Sequence, residues 1–203
     1  MPDFVTPVPA LLAVALLAYL LGSVPFGIVM ARLFRLGDLR QVGSGNIGAT
    51  NVLRTGNKLA ALLTLLGDSG KGAFAALLAG ALLGGDAAQV AGLAAFLGHA
   101  WPVWLRFRGG KAVATFLGTA LALSFPLGLA ICASWLAGAF ATRISSMGAI
   151  VAALSAPLWA WWLHPEAVAL MAFFAALIVV FHRHNIRRIR AGEEPRIGAS
   201  KRT

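Results

Sequence analysis

Three short polar stretches of the chain carry the residue types that bind phosphate. The first reads Gly43-Ser44-Gly45-Asn46-Ile47-Gly48-Ala49-Thr50-Asn51, with Arg54 close behind. Glycines let successive backbone N–H groups turn toward one anion. Ser44, Asn46, Thr50 and Asn51 add neutral donors, and the Arg54 guanidinium matches phosphate oxygens. A flexible connector is the plainer alternative, but a connector has no use for so many amide side chains beside an arginine. The second stretch reads Phe107-Arg108-Gly109-Gly110-Lys111, and apolar residues resume at Ala112. Glycines and a lysine at a helix start combine backbone amides, a positive dipole end and an ammonium. The nucleotide-binding pattern GxxxxGK[ST] is absent, and basic anchoring by Arg106, Arg108 and Lys111 explains the loop equally well. In the third stretch, His182-Arg183-His184-Asn185-Ile186-Arg187, His182 and Asn185 share a helical face. Arg187, Arg188 and Arg190 read as cations reaching toward lipid headgroups.

Asp68 and Lys71 stand three apart inside an apolar stretch. Charges there are costly and mark a functional neighbourhood, so the pair is expected to neutralise itself and to support a nearby site. His99 falls near the inner end of another apolar run. Other chemistries lack their residues. There is no HEXXH, no cysteine cluster and no intramembrane carboxylate pair, so no metal site is expected. No GxSxG marks a serine hydrolase. The single Cys132 has no polar neighbour and reads as inert.

The elements that must hold these groups are membrane spans. The chain has 203 residues, is 59% hydrophobic and only 12% charged, a balance that excludes a soluble domain. Its net charge of +10 points to anionic lipid or anionic substrates, not to nucleic acid, because the helices are apolar around their circumference. Seven apolar segments are expected, at 9–34, 59–84, 88–105, 112–125, 126–141, 147–163 and 167–181. The second is read as interrupted between Gly67 and Gly72. The pair 112–125 and 126–141 is short, fitting either a re-entrant hairpin or two steep helices. The first begins after Met-Pro-Asp, with no basic leader, and reads as a retained span. Of the seventeen Lys and Arg residues, all but Lys71 fall in alternate breaks or in the C-terminal tail. That is the positive-inside pattern. It predicts an all-α polytopic membrane protein of about seven transmembrane helices in one domain, 1–203, with N-terminus outside and C-terminus cytoplasmic. Gly22, Gly27, Gly80, Gly92, Gly118 and Gly138 suit close helix packing in lipid.

Taken together, these stretches resemble the acyl-phosphate:glycerol-3-phosphate acyltransferase family, the PlsY type of bacterial membrane enzymes. The resemblance rests on 43–51 with Arg54 and on Gly98-His99 through Lys111-Ala112-Val113-Ala114-Thr115. It rests also on His182-x-x-Asn185-Ile186 with Gly192 and Glu194, on Gly67-Asp68-x-x-Lys71-Gly72, and on Ser23-x-Pro25-Phe26-Gly27. It spans nearly the whole chain in order. It implies transfer of a fatty acyl group from acyl phosphate to the 1-hydroxyl of sn-glycerol 3-phosphate, giving lysophosphatidic acid and phosphate. No cofactor is implied. The implied setting is the bacterial inner membrane, with the site on the cytoplasmic side, lipid around it, and contact with the enzyme that makes acyl phosphate as a possible partnership.

By the same resemblance, Ser44, Gly45, Asn46 and Thr50, with Asn51, Gly109 and Gly110, belong to substrate binding. Arg54, Lys111, His182 and Asn185 fall to glycerol phosphate and the reacting centre. Ser146 matches a family serine near the site, and Asp68, Lys71, His99 and Glu194 are expected as structural support. The base is either His182 or the donor phosphate, and the resemblance favours the phosphate. One departure is Ala112, where the family has glycine. It is expected to open a helix without strain. An organic-phosphate carrier is the rival class, disfavoured by short and nearly featureless outer turns.

Overall fold

The computed structural model describes residues 2–197; Lys201 and Arg202, counted above in the basic tail, lie outside the described residues. These residues form helices and no strand. The chain divides into two compact units, one ending at Phe125 and one beginning at Pro126.

In the first unit, α1 (Val8–Gly22), α4 (Lys58–Leu83), α5 (Gly85–Ala100) and α6 (Val113–Leu123) pack together, with α5 against both α1 and α4 and with α6 on α4. Two short helices, α2 (Phe26–Leu33) and α3 (Ala49–Leu53), pack against α4. The core is built from small side chains, among them Ala18, Ala75, Ala79, Ala91 and Ala95. Large ones such as Leu12, Leu16, Leu62, Leu66, Phe74 and Leu82 lie exposed. A water-soluble bundle has the opposite arrangement. In lipid, burying leucine gains nothing, and close backbone approach provides the attraction. Gly118 of α6 faces the Ser69 backbone of α4 so closely that a Cβ would collide with its carbonyl.

The apolar stretch 9–34 is not one helix. It breaks at Ser23–Pro25, because proline has no N–H to donate and pushes Val24 out of the helical region. The stretch from Gly67 to Gly72, expected to interrupt its span, instead continues as α4, one helix of 26 residues. The helical penalty of glycine is about 1 kcal/mol, less than the several kcal/mol for leaving backbone groups unpaired in lipid. Asn57 starts this helix by accepting the Ala60 N–H at 2.9 Å. The segment expected at 88–105 is helical only to Ala100 and ends in a 3-10 turn, Val103–Leu105.

The second unit holds α7 (Phe125–Thr142), α8 (Ser145–Leu163), α9 (Val168–Phe181) and α10 (Arg183–Arg190). α8 packs on α9, and α7 meets α8 where Gly138 lies against Gly148 and Val151. The axis turns by 59° between the helical stretch Pro165–Phe181 and α10. Among the described residues, four helical stretches are long and apolar enough to cross a membrane, or five if that bent pair is one span.

Candidate functional site

The 43–51 loop is organised from within. Asn51, on α3, is buried. Its carboxamide oxygen accepts from the Ser44 N–H at 3.1 Å, the Ser44 hydroxyl at 3.3 Å and Arg54 Nη1 at 3.3 Å. Its nitrogen donates to the Leu39 carbonyl at 2.8 Å. Asn51 therefore shapes the loop with the amide that the sequence offered as a ligand. Gly43 and Gly45 take φ of 52° and 69°, which side-chain-bearing residues adopt rarely. Ser44 is exposed, and Gly45, Asn46, Thr50 and Arg54 are half-buried. The loop is thus a pre-shaped rim of donors with one guanidinium.

The second loop is tied to the 3-10 turn Leu39–Gln41 just before the first, because Arg40 Nη2 donates to the Arg108 carbonyl at 2.7 Å. No motif around either arginine announces this link. Gly109 and Gly110 do not offer open N–H groups. They donate to the Ala100 and His99 carbonyls, each at 3.1 Å, and so close the C-terminus of α5. That departs from the expected amide cluster and leaves the half-buried Lys111 beside them, with the exposed Arg106 and Arg108, as the loop's cationic groups before α6. Glycine is needed at 110 because a Cβ there would collide with the His99 imidazole. Arg106, Phe107 and Ala112 all have left-handed backbones, with φ of 50°, 60° and 57°. The unstrained helix start expected for Ala112 is therefore not what forms. Ala112 is the residue before α6, in a conformation that favours the glycine of the family pattern.

Beneath both loops lies a buried charge cluster. Lys71 Nζ donates to Asp68 Oδ1 and to the Val24 carbonyl, each at 2.9 Å. His99 Nδ1 lies 3.4 Å from the same Asp68 oxygen. The Asp68 carbonyl accepts the Thr115 hydroxyl at 2.9 Å. One cluster thus ties the α1–α2 break, α4, α5 and the first turn of α6 together. α3, which carries Asn51, packs on α4, and Lys111 stands two residues before α6.

In the second unit, Glu194 is the hub. Its Oε1 accepts from Ser146 at 2.7 Å and Asn185 at 2.5 Å, and Oε2 accepts from Arg188 at 2.7 Å. Burial alone would raise this carboxyl's pKa, but the three donors and the Arg188 charge outweigh burial and hold it below the usual range. Arg188, expected to reach lipid headgroups, is instead taken by Glu194. His182 is buried at the junction of α9 and α10, with Nδ1 2.7 Å from the Ile178 carbonyl. A carbonyl only accepts, so Nδ1 carries a proton and Nε2 is the basic nitrogen of the neutral ring. A cavity of about 530 Å³, lined by Ser134, Ser155 and tryptophans of α8 including Trp159, holds no ionisable group.

Asp86 was missed at the sequence level. Its carboxylate accepts from Val5 N, Thr6 N, Thr6 Oγ1 and Ala87 N, at 2.8–3.0 Å, so this turn, expected to be nearly featureless, is not. A lone carboxylate in a break without lysine or arginine was the available signal. Among the described residues, no group of three His, Cys, Asp or Glu side chains is arranged to hold a metal ion.

Comparison with known proteins completes the description. Residues 12–192 match the family model described as glycerol-3-phosphate acyltransferase. Two relatives bearing that name are from Jannaschia sp. and Dinoroseobacter shibae. The first is 68% identical over 91% of each chain, the second 59% identical over the whole of both. A solved structure of PlsY (YgiH), an integral membrane glycerol 3-phosphate acyltransferase in its glycerol 3-phosphate form, superimposes with a TM-score of 0.87. It is 40% identical, covering 93% of this chain and 96% of that one. The lysophosphatidic acid form of PlsY gives a TM-score of 0.84 at 37% identity.

Proposed function

This chain belongs to the glycerol-3-phosphate acyltransferase family, and on that premise we propose that it moves a fatty acyl group from acyl phosphate to the 1-hydroxyl of sn-glycerol 3-phosphate. The products are lysophosphatidic acid and inorganic phosphate. The setting is a bacterial inner membrane, crossed seven times by one catalytic domain, with N-terminus outside and the reaction on the cytoplasmic side. The sorting of Lys and Arg supports that topology. Helices as short as α5 and α6 can cross where neighbouring helices shield them.

The observation that carries the reading is the joined pair of cationic, glycine-rich loops, 43–51 with Arg54 and 106–111 with Lys111, held together by Arg40 on Arg108. Two such loops suit a reaction between two phosphate-bearing substrates. Acyl phosphate is a mixed anhydride and already activated. The substrate hydroxyl attacks the acyl carbon, the bond from that carbon to the phosphate oxygen breaks, and the departing phosphate takes the hydroxyl proton. No covalent enzyme nucleophile is needed. What remains for the protein is positioning and charge stabilisation. Ser44, Gly45, Asn46 and Thr50 hold the donor phosphate. Arg54, Lys111, His182 and Asn185, with Ser146, serve glycerol phosphate and the reacting centre. The test is phosphate release by the purified protein. Release from acyl phosphate that depends on glycerol 3-phosphate is expected; release indifferent to it removes the reading.

A further inference from the structure

The short helix α10 has two opposed sides. On one, Asn185 and Arg188 reach Glu194. On the other, Arg183, Arg187 and Arg190 follow at i, i+4 and i+7, so they share a face, and all three are exposed. No carboxylate among the described residues pairs with them. Ile186 and Ile189, both half-buried, lie along one side of the arginine row. α10 leaves the axis of the apolar helical stretch before it at 59°, so its arginines do not continue along that axis.

We propose that this arginine face docks on anionic phospholipid headgroups of the leaflet where α9 ends, and that docking steadies the Asn185–Glu194 side of the helix, making turnover depend on lipid charge. The occupant is lipid because the helix offers two layers. Arginines meet headgroup phosphates while the isoleucines beside them meet the acyl boundary. An acidic protein surface offers the first layer without the second. Each arginine near an anionic leaflet adds about fivefold to partition, so three add about a hundredfold, and salt screens the effect. The regulatory half rests on the proposed acyl transfer; the docking does not.

The experiment uses the full chain in nanodiscs of zwitterionic phosphatidylcholine, alone or mixed with anionic phosphatidylglycerol. Hydrogen exchange at the amides of 183–190 and glycerol 3-phosphate-dependent phosphate release are read on the same discs. Slower exchange and faster turnover are expected with anionic lipid, both fading as salt rises. The triple variant Arg183→Gln, Arg187→Gln, Arg190→Gln is expected to keep its turnover in phosphatidylcholine and lose both responses. If that variant fails to fold, the salt titration of the unmodified protein decides the docking. Exchange that ignores lipid charge overturns it, and so does protection that appears only with an added acidic protein. Exchange that responds while turnover does not removes the regulatory half. Exchange that responds while no disc supports acyl transfer leaves the docking standing and removes the proposed function instead.

Discussion

Ser146, at the start of α8, donates to Glu194 Oε1 across 2.7 Å although 48 residues separate them in sequence. The same oxygen accepts from Asn185, so one carboxylate sets two side chains assigned to the reaction. Glu194→Gln keeps the shape and removes the charge. It is expected to cost about 1.5–3 kcal/mol, the range for hydrogen bonds to a charged group. That corresponds to a fall of several degrees in the melting midpoint in detergent. The pH dependence follows from the direction of the shift. The folded-state pKa of Glu194 is depressed, so its stabilisation is fully present above the ordinary carboxylate value. It is lost as pH falls through the depressed folded value. Melting curves of the native protein between neutral and acidic pH should show that loss, and Glu194→Gln should show a smaller one. Identical pH profiles would remove Glu194 from this role.

Lys111→Ala and Arg54→Ala are expected to fold and to lose most activity. A hydrogen bond to a charged group is worth about 1.5–3 kcal/mol, which corresponds to roughly ten- to a hundredfold in rate or affinity. Initial rates at limiting glycerol 3-phosphate and at limiting acyl phosphate measure this. Near-native rates for either variant under both conditions would release that residue from phosphate binding.

Ala112 carries a left-handed backbone, φ 57°, directly before α6. That conformation costs an L-residue about 1–2 kcal/mol, and glycine avoids it while giving back part of the gain as chain entropy. Ala112→Gly is therefore expected to raise stability by about 0.5–1 kcal/mol. A melting midpoint that stays put or falls would argue against a left-handed residue at 112.

The orientation of α4 tests the topology. Its 26 residues span about 39 Å at 1.5 Å per residue, more than the roughly 30 Å of a hydrocarbon core. Single cysteines at Lys58 and Gly85, in a Cys132→Ala background, sit at the first residue of this helix and two residues past its last. An impermeant thiol reagent added to intact cells is expected to label the Gly85 position and to reach the Lys58 position only after permeabilisation. Labelling of both from outside overturns the assigned sidedness.

The all-helical, membrane-spanning character was legible because apolar length is a local property of the chain. The joined loops were legible as motifs but not as a geometry. Nothing near Arg40 in sequence announces a carbonyl at Arg108, and nothing near Asp86 announces the N–H groups of Val5 and Thr6. Two errors came from carrying rules for water into lipid. Six residues containing Gly67, Gly70 and Gly72 look like a break in water, yet stay helical where unpaired backbone costs more. A GGK sequence looks like an open amide cluster, yet Gly109 and Gly110 spend their N–H groups on the end of α5. Ala112 was misjudged because its type favours helix while its position, one residue before the helix, requires positive φ.

The last prediction concerns the proton. His182 Nδ1 donates to the Ile178 carbonyl, which leaves Nε2 as the nitrogen able to take a proton from the attacking hydroxyl. The departing phosphate can take it equally well. His182→Asn separates the two, because an amide keeps hydrogen bonding but accepts no proton near neutral pH. If the phosphate is the base, as proposed, the variant keeps clear residual activity and its pH profile retains the acidic limb of the native protein. Neither His99 nor His182 then forms a covalent acyl intermediate, which mass spectrometry of the quenched protein can verify. If His182 is the base, the rate falls by about a hundred- to ten-thousandfold and the acidic limb disappears. That result would replace the substrate-assisted step with a histidine-dependent one, while leaving the phosphate-binding roles of Arg54 and Lys111 to be judged on their own variants.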